Sequence, residues 1–264
     1  MSIGKQDLRI WIINLPSATT RRSNMTARLD RLGLDYEIFD AIDGHKRFEE
    51  FRPQVDTKRY ERDMGQRLLP GKVGCYFSHL SVWNVLAASN AKVGLILEDD
   101  VVFHDDFIVA LDTALAGADH WDLLRLNSTR ARFPIAQGSL GNYRLNAYLG
   151  RSTGNGCYLV HRDVAKRLLP RLENMKLAFE YEIGQFFEHK YNFLGLEPFP
   201  SHIDDGGLSQ ITGRNNQYLS KITNWRRIGH FVFKASNYAN RFLFLLRNKS
   251  LLGHSEQLMP QVRH

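Results

Sequence analysis

The chain has 264 residues, 43% hydrophobic and 24% charged, enough for one large domain and incompatible with wholesale disorder. Two cysteines, Cys75 and Cys157, cannot build a disulfide scaffold or a four-thiolate zinc site, so a reduced cytosolic chain without signal peptide or membrane span is expected. The net charge of +7 is uneven: from Asn215 to His264 eight Lys/Arg face one acid, Glu256, leaving 27 basic and 27 acidic residues before it, which divides the chain into a neutral body, 1–214, and a basic extension, 215–264.

Leu8 to Asn14 reads as a buried strand stopped by Leu15-Pro16-Ser17. A helix follows from Thr19 to Leu34, with Met25, Leu29 and Leu32 at helical spacing, then a second strand from Tyr36 to Asp40. Positions 45–70 are polar and weakly periodic, more like an insertion than a core element. Cys75 to Ala88 reads as an amphipathic helix. Val93 to Leu97 is a third buried strand that runs straight into Glu98-Asp99-Asp100. Further strands are expected at 122–126, 156–160 and 192–196, and helices at 163–171 and 180–189. Strands alternating with helices indicate an α/β layered sheet.

The acidic triplet carries the most chemistry. Three adjacent carboxylates cannot sit inside a core, because each isolated buried charge is costly. At the carboxyl edge of a buried strand they project into the crevice where open α/β sheets bind ligands. Hard oxygens clustered there suit Mg²⁺ or Mn²⁺, which in turn hold phosphates. A solvated acidic turn is the alternative, weakened by the apolar runs on both sides. Asp105 and Asp106 are expected to cap a helix.

Several motifs occur in order: Ile12-Ile-Asn14-Leu15 with Arg21-Arg22; Phe39-Asp-Ala41-Ile42-Asp43-Gly44; Gly71-Lys-Val-Gly74-Cys75-Tyr-Phe-Ser78-His79; Leu97-Glu-Asp-Asp100-Val; Trp121 to Leu126; Thr153 to Tyr158; and Pro198 to Ile211. Together they resemble glycosyltransferase family 25 over roughly residues 8–214. The resemblance implies a GT-A nucleotide-sugar fold, UDP-galactose or a relative as donor, a divalent metal, and inversion at the anomeric carbon. It implies Asp100 as the metal ligand, with Glu98 and Asp99 orienting the ribose or the metal's waters. Asn14, Leu15 and Arg22 would line the nucleotide pocket, with Ala41 and Asp43 near uracil. Arg21 and Arg22 read equally well as solvated helix-start residues.

Ser78 and His79, in the first turns of their helix, would meet phosphate or sugar hydroxyls; a structural histidine packed on the sheet is the alternative. Thr153, Gly154 and Asn155 would admit a sugar close to the backbone. An acid must accept the acceptor's proton. Many relatives carry an Asp ahead of a helix with an aromatic and then Glu-His. Phe186-Phe187-Glu188-His189 sets that register here and puts Glu180 in its place, one methylene longer. Asp204 and Asp205 are rivals for the same role, and His202 is a candidate further metal ligand.

The implied reaction moves a hexose from a UDP-sugar to a lipid-linked lipooligosaccharide or lipopolysaccharide core, with UDP-glucose as the alternative donor. In the extension, Trp225, Ile228, Val232, Ala235, Ala239, Phe242 and Leu246 recur at helical spacing among basic residues. That pattern predicts a helix lying on an anionic membrane surface, here the inner face of the inner membrane. A core helix with that stripe packed inward is the alternative. The basic extension also raises nucleic-acid binding, opposed by the neutral body and the acidic triplet. A metal-dependent hydrolase or nuclease would want more converging ligands.

Overall fold

The computed structural model describes residues 3–204, 227–248 and the strand 254–259. In chain order its strands are β1 (Leu8–Asn14), β2 (Glu37–Asp40), β3 (Val93–Glu98), β4 (Val101–Phe103), β5 (Leu123–Arg125), β6 (Arg130–Ala131), β7 (Pro134–Leu140), β8 (Tyr143–Tyr148), β9 (Ser152–Thr153), β10 (Cys157–His161), β11 (Phe193–Glu197), β12 (Ser201–Ile203) and β13 (His254–Met259). The helices are α1 (Thr19–Arg31), α2 (Gly44–Phe51), α3 (Thr57–Met64), α4 (Pro70–Ala88), α5 (Phe107–Ala116), α6 (Arg162–Leu172), α7 (Phe179–Glu182), α8 (Phe186–His189) and α9 (Ile228–Arg247).

A nine-stranded sheet in the order β13-β7-β8-β11-β5-β10-β3-β1-β2 forms the centre. Chaining the pair directions leaves only β10 and β8 running against the other seven strands. β1 and β3 are buried along nearly their whole length, which is why both read as unbroken apolar runs rather than alternating ones. α4 packs against β1, β3, α2 and α6. Its residues Val73, Tyr76, Phe77, Leu80, Val82, Trp83 and Leu86 are all buried, so the helix is enclosed on most sides rather than on one face.

Several expectations change. Positions 45–70 are not an insertion: they form α2 and α3, capped by the Asp43 and Asp56 carboxylates, and Tyr60 and Met64 reach the core. Helices of 8 residues are too short to establish a period, which hid them. The helix expected from Cys75 begins at Pro70, with proline in its first turn. Ser78 and His79 therefore lie in mid-helix and meet the site through side chains, not through a helix terminus. The helix expected at 180–189 is two short ones, α7 and α8. Asp106 sits at the N-cap of α5 without a side-chain capping bond; its carboxylate accepts a hydrogen bond from the Tyr143 hydroxyl at 2.7 Å. Both cysteines are free.

The basic extension, expected to be largely helical, holds a strand besides its helix: β13 pairs with β7 at the sheet edge. α9 packs on α3 and α8. The predicted stripe does not point inward. Ile228, Val232, Phe242 and Leu246 are 46–67% exposed, while Arg241 and Leu245 on the opposite face are buried. Trp225 and the 214/215 boundary lie outside the described residues.

Candidate active site

β1 has β2 on one side and β3 on the other, both parallel to it, so the chain reverses its direction across the sheet at β1. Open α/β sheets leave a crevice beyond the carboxyl ends of the strands at such a point. A cavity of ≈ 290 Å³ lies there. Leu15, Arg21, Ala41 and Asp43 line it beyond β1 and β2, and Cys75, Ser78 and His79 from α4. Glu98, Asp99 and Asp100 line it at the end of β3, and Thr129, Gly154 and Glu180 across from them.

Backbone contact holds α2 against α4. A Cβ on Gly74 would stand 2.4 Å from the Ile42 carbonyl oxygen and 2.6 Å from the Gly44 nitrogen, so glycine is required for the approach. Ser78 fastens the same corner: its hydroxyl donates to the Gly74 carbonyl at 2.7 Å and accepts from the Ile42 N–H at 2.8 Å.

The three acids differ in their surroundings. Asp99 is buried, and both of its oxygens are occupied, by Asn14 Nδ2 at 2.7 Å and Arg21 at 2.9 Å. Burial nevertheless raises its pKa, against the lowering effect of those partners. Asp100 meets Arg21 at 3.4 Å through Oδ2, while its Oδ1 is buried without a hydrogen-bond partner. Burial first, and then the Glu98 charge, push the Asp100 carboxyl up to about 7. A buried anionic oxygen lacking a donor is a ready cation ligand, so Asp100 fits a divalent metal. Cys75, His79 and Glu98 also offer ligand atoms within 4.8 Å of one another. Burial drives the Cys75 thiol up to about 12, which favours the protonated form, a poor ligand.

His79 is both structural and part of the lining. Its ring stacks on Phe179 at 4.5 Å. Nδ1 lies 3.0 Å from the Tyr158 hydroxyl and Nε2 lies 3.3 Å from Glu98. Tyr158 accepts the indole N–H of Trp83 at 3.0 Å, leaving its own proton for Nδ1 and the His79 proton for Glu98. The buried aromatic cluster thereby orients the first acid of the triplet.

Opposite, Glu180 Oε2 accepts the Gly154 N–H at 3.2 Å. Burial acts to raise its pKa, but Lys72, that N–H, Arg151 and Arg125 together outweigh it and hold the carboxyl below its usual value. Glu180 is thus an ionised acceptor facing the cleft. Glu182 is turned away into the protein, where burial pushes it up to about 7.

Leu15, Ala41, Asp43, Ser78, His79, Glu98, Asp99, Asp100, Gly154 and Glu180 thus share one cleft. The other expected residues stand outside its lining. Asn14 is behind it, holding Asp99. Arg22 is partly exposed and pairs with Asp40 at 3.8 Å. The Thr153 hydroxyl meets Thr129 at 3.0 Å, and the Asn155 side chain accepts from Arg125. Exposed His202 shares a proton with His104 at 2.9 Å. Asp204 is exposed and its N–H donates to the Asp100 carbonyl at 2.9 Å. Asp205 lies outside the described residues.

Two residues of the quoted motifs, Arg21 and Arg125, carry more of the site than the sequence assigned to them. Arg21, rather than its neighbour, reaches the acids, because successive helical residues point about 100° apart. Arg125 is fully buried, donating to Ser152, the Gly154 carbonyl and Asn155, and so it shapes the Gly154 wall of the cleft. A lone arginine within the apolar Trp121–Leu126 stretch was its signal.

A family model described as glycosyltransferase family 25 (LPS biosynthesis protein) matches residues 7–183. The chain belongs to glycosyltransferase family 25. The matched segment contains the acidic triplet and Glu180 and ends before His202, Asp204 and Asp205. Curated relatives include a glycosyltransferase 25 family member of Anopheles gambiae, 30% identical over 76% of this chain and 34% of its own length. A namesake in Aedes aegypti is 31% identical over 68% of this chain and 31% of its own. The procollagen galactosyltransferase 1-B of Xenopus laevis is 29% identical over 75% of this chain and 33% of its own. The family 25 chain described here spans about a third of the length of these relatives. Among solved structures, the apo glycosyltransferase GlyE of Streptococcus pneumoniae TIGR4 aligns at a TM-score of 0.39 and 13% identity, covering 95% of this chain and 65% of that one.

Proposed function

We propose that this family 25 chain is an inverting, metal-dependent hexosyltransferase of GT-A architecture. In this reading it carries galactose from UDP-galactose to the core glycan of a lipooligosaccharide or lipopolysaccharide. The observation that carries the reading is the buried, donorless Asp100 oxygen at the strand-end crevice, facing an ionised Glu180 across the cleft. The family description names LPS biosynthesis, and relatives bear galactosyltransferase names; both support the choice of acceptor and sugar.

Asp100 would hold Mn²⁺ or Mg²⁺, with Glu98 and Asp99 orienting its waters or the ribose. The metal, when bound, supplies positive charge for the departing diphosphate. Arg21, tied to Asp99, fixes the floor of the nucleotide side. On the sugar side Arg125 holds the Gly154 carbonyl and the Asn155 side chain in place. The acceptor hydroxyl attacks the anomeric carbon from the face opposite the diphosphate. As the new C–O bond forms, the bond to UDP breaks and the hydroxyl proton passes to Glu180. UDP-glucose is the alternative donor, since discrimination rests on one or two hydrogen bonds to the C4 hydroxyl. Transfer from UDP-galactose and UDP-glucose to a lipopolysaccharide core oligosaccharide, each with Mn²⁺, tests the assignment. Galactose transfer supports it, and transfer of glucose alone replaces the donor.

The same proposal includes peripheral attachment to an anionic membrane, on the inner face of the bacterial inner membrane. Ile228, Phe231, Val232, Phe242, Leu243 and Leu246 are 43–67% exposed. At 100° per residue they fall within an arc of about 120° on α9. Arg247 flanks the arc and is exposed, as in a helix lying in a headgroup layer. Among the described residues no helix is long and apolar enough to cross a membrane.

A further inference from the structure

A second cavity, of ≈ 90 Å³, lies between the inner face of α9 and the β6–β9 ribbon. Arg130, Arg132, Arg151, Lys234 and Arg241 line it, with Tyr181 and, among the described residues, no carboxylate. Among the described residues none of these five cations forms an ion pair, and the Glu180 charge, felt by Arg151 from the neighbouring cleft, is the one anion that acts on them. Charges of one sign gathered without a counter-charge are unfavourable unless something anionic completes them.

The base of the cavity is built rather than incidental. Arg241 is 8% exposed; its guanidinium donates to the Gly150 and Gly184 carbonyls, and its Nε is buried without a partner. Arg151 stacks on the Tyr181 ring at 3.9 Å, and its Nε is likewise buried and unpartnered. Burial lowers the pKa of both arginines, Arg241 to about 10; Glu180 opposes this at Arg151 and the Tyr238 and Tyr191 hydroxyls oppose it at Arg241, while one neighbouring arginine adds to it at each. Two oriented guanidinium groups with spare N–H donors, ringed by three exposed cationic side chains, match the oxygens of a phosphate or carboxylate.

The position relates this cavity to the cleft. Thr129 and Gly154 line the cleft, whereas Arg130 and Arg151 line the second cavity. Glu180 and Tyr181 divide in the same way within α7. Consecutive residues stand 3.8 Å apart, so one layer of backbone separates the two. The ribbon follows β5 and precedes β10, which lie beyond β3 in the sheet, on the side away from β2. The apolar arc of α9 faces the other way, which turns the cavity away from any bilayer that arc would meet.

We infer that the basic cavity is an anion subsite for the acceptor, binding a phosphate or carboxylate carried by the glycan within one or two sugars of the hydroxyl that Glu180 deprotonates. This deepens the transferase reading and rests on it; the acceptor class it names is an anionic oligosaccharide.

The test uses the full chain and three probes, glucose 6-phosphate, glucuronate and glucose, titrated by calorimetry alongside UDP with Mn²⁺. Glucose 6-phosphate or glucuronate should bind at least tenfold more tightly than glucose. The double variant Arg132→Ala, Lys234→Ala, which changes only exposed side chains, should lose at least fivefold of that binding while UDP affinity stays within twofold. Arg241→Gln should lose more, and its circular dichroism reports whether it has folded. Equal binding of charged and neutral sugars overturns the inference, as does loss of the charged sugar to UDP competition alone. If the double variant releases phosphatidylglycerol vesicles but still binds glucose 6-phosphate, the cavity serves lipid and the inference fails. The UDP titration stands apart: its failure rejects the nucleotide-sugar reading, not the anion site.

Discussion

Asp100→Asn should stabilise the metal-free protein above neutral pH while abolishing its response to Mn²⁺. In the folded chain burial and Glu98 move the Asp100 carboxyl from 3.8 to about 7, and the side chain is only 13% exposed. At about 1.4 kcal/mol per pKa unit, that rise corresponds to about 4 kcal/mol of destabilisation once the group is ionised in both states. The sign follows from proton counts. Between pH 4 and 7 the folded state binds more protons at this group than the unfolded state, so metal-free stability falls as pH rises. It levels off above 7. Between pH 5 and 8 the wild type should lose about 2–3 kcal/mol relative to Asp100→Asn, or roughly 5–10 °C in Tm for a chain of this size. Thermal melts with EDTA at pH 5, 6, 7 and 8 read this directly. Saturating Mn²⁺ at pH 8 should restore the wild type and leave the variant unmoved, and apparent Mn²⁺ affinity should weaken below pH 7, where the proton competes. Parallel melting curves at every pH, or equal stabilisation of both proteins by Mn²⁺, would refute the reasoning.

Glu180→Gln should lower kcat by about 10²-fold or more, with UDP affinity unchanged; an unaltered kcat returns the base to Asp204 or Asp205. Because Glu180 is held below its usual pKa, its own acidic limb should lie below pH 4.5, so a limb near pH 7 should follow metal occupancy instead. Gly74→Ala should destabilise the fold by about 3 kcal/mol or more, since the new methyl meets backbone rather than a movable side chain; urea unfolding with an unchanged midpoint would remove the crossing from the account. Phe231→Ser with Phe242→Ser should release the protein from phosphatidylglycerol vesicles in co-sedimentation without lowering Tm, because both side chains are exposed. A folded protein that still co-sediments would end the membrane proposal.

The sequence exposed those parts of the fold whose burial is continuous. β1 and β3 are enclosed on both faces, so their apolar runs and the acids that follow mark a strand-end crevice without further information. α2 and α3 stayed hidden because each is too short to show a period and is held by caps at Asp43 and Asp56, and because α3 packs on α9, which is remote in sequence. The choice between Arg21 and Arg22 follows from the face of α1 that packs: Arg21 lies four residues before Met25 and eight before Leu29, both buried, and so shares their side of the helix. The inward or outward facing of the α9 stripe was also undecidable locally. An amphipathic pattern shows that two faces differ, not which one packs. Here the polar-rich face docks, through Arg241 capping the Gly150 and Gly184 carbonyls and His230 reaching the Asp63 carbonyl at 2.8 Å. The basic cavity followed from that docking, since Arg130, Arg151 and Arg241 are far apart in sequence.

Hydrolysis or transfer from UDP-galactose by the wild type and Asp100→Asn, each with Mn²⁺ and with EDTA, tests the central claim most directly. Turnover should appear only in the wild type with Mn²⁺, with Asp100→Asn folded and at least 10²-fold slower. Undiminished turnover in EDTA, or near-normal turnover by Asp100→Asn, would contradict the claim that this cleft holds a nucleotide sugar through a metal on Asp100.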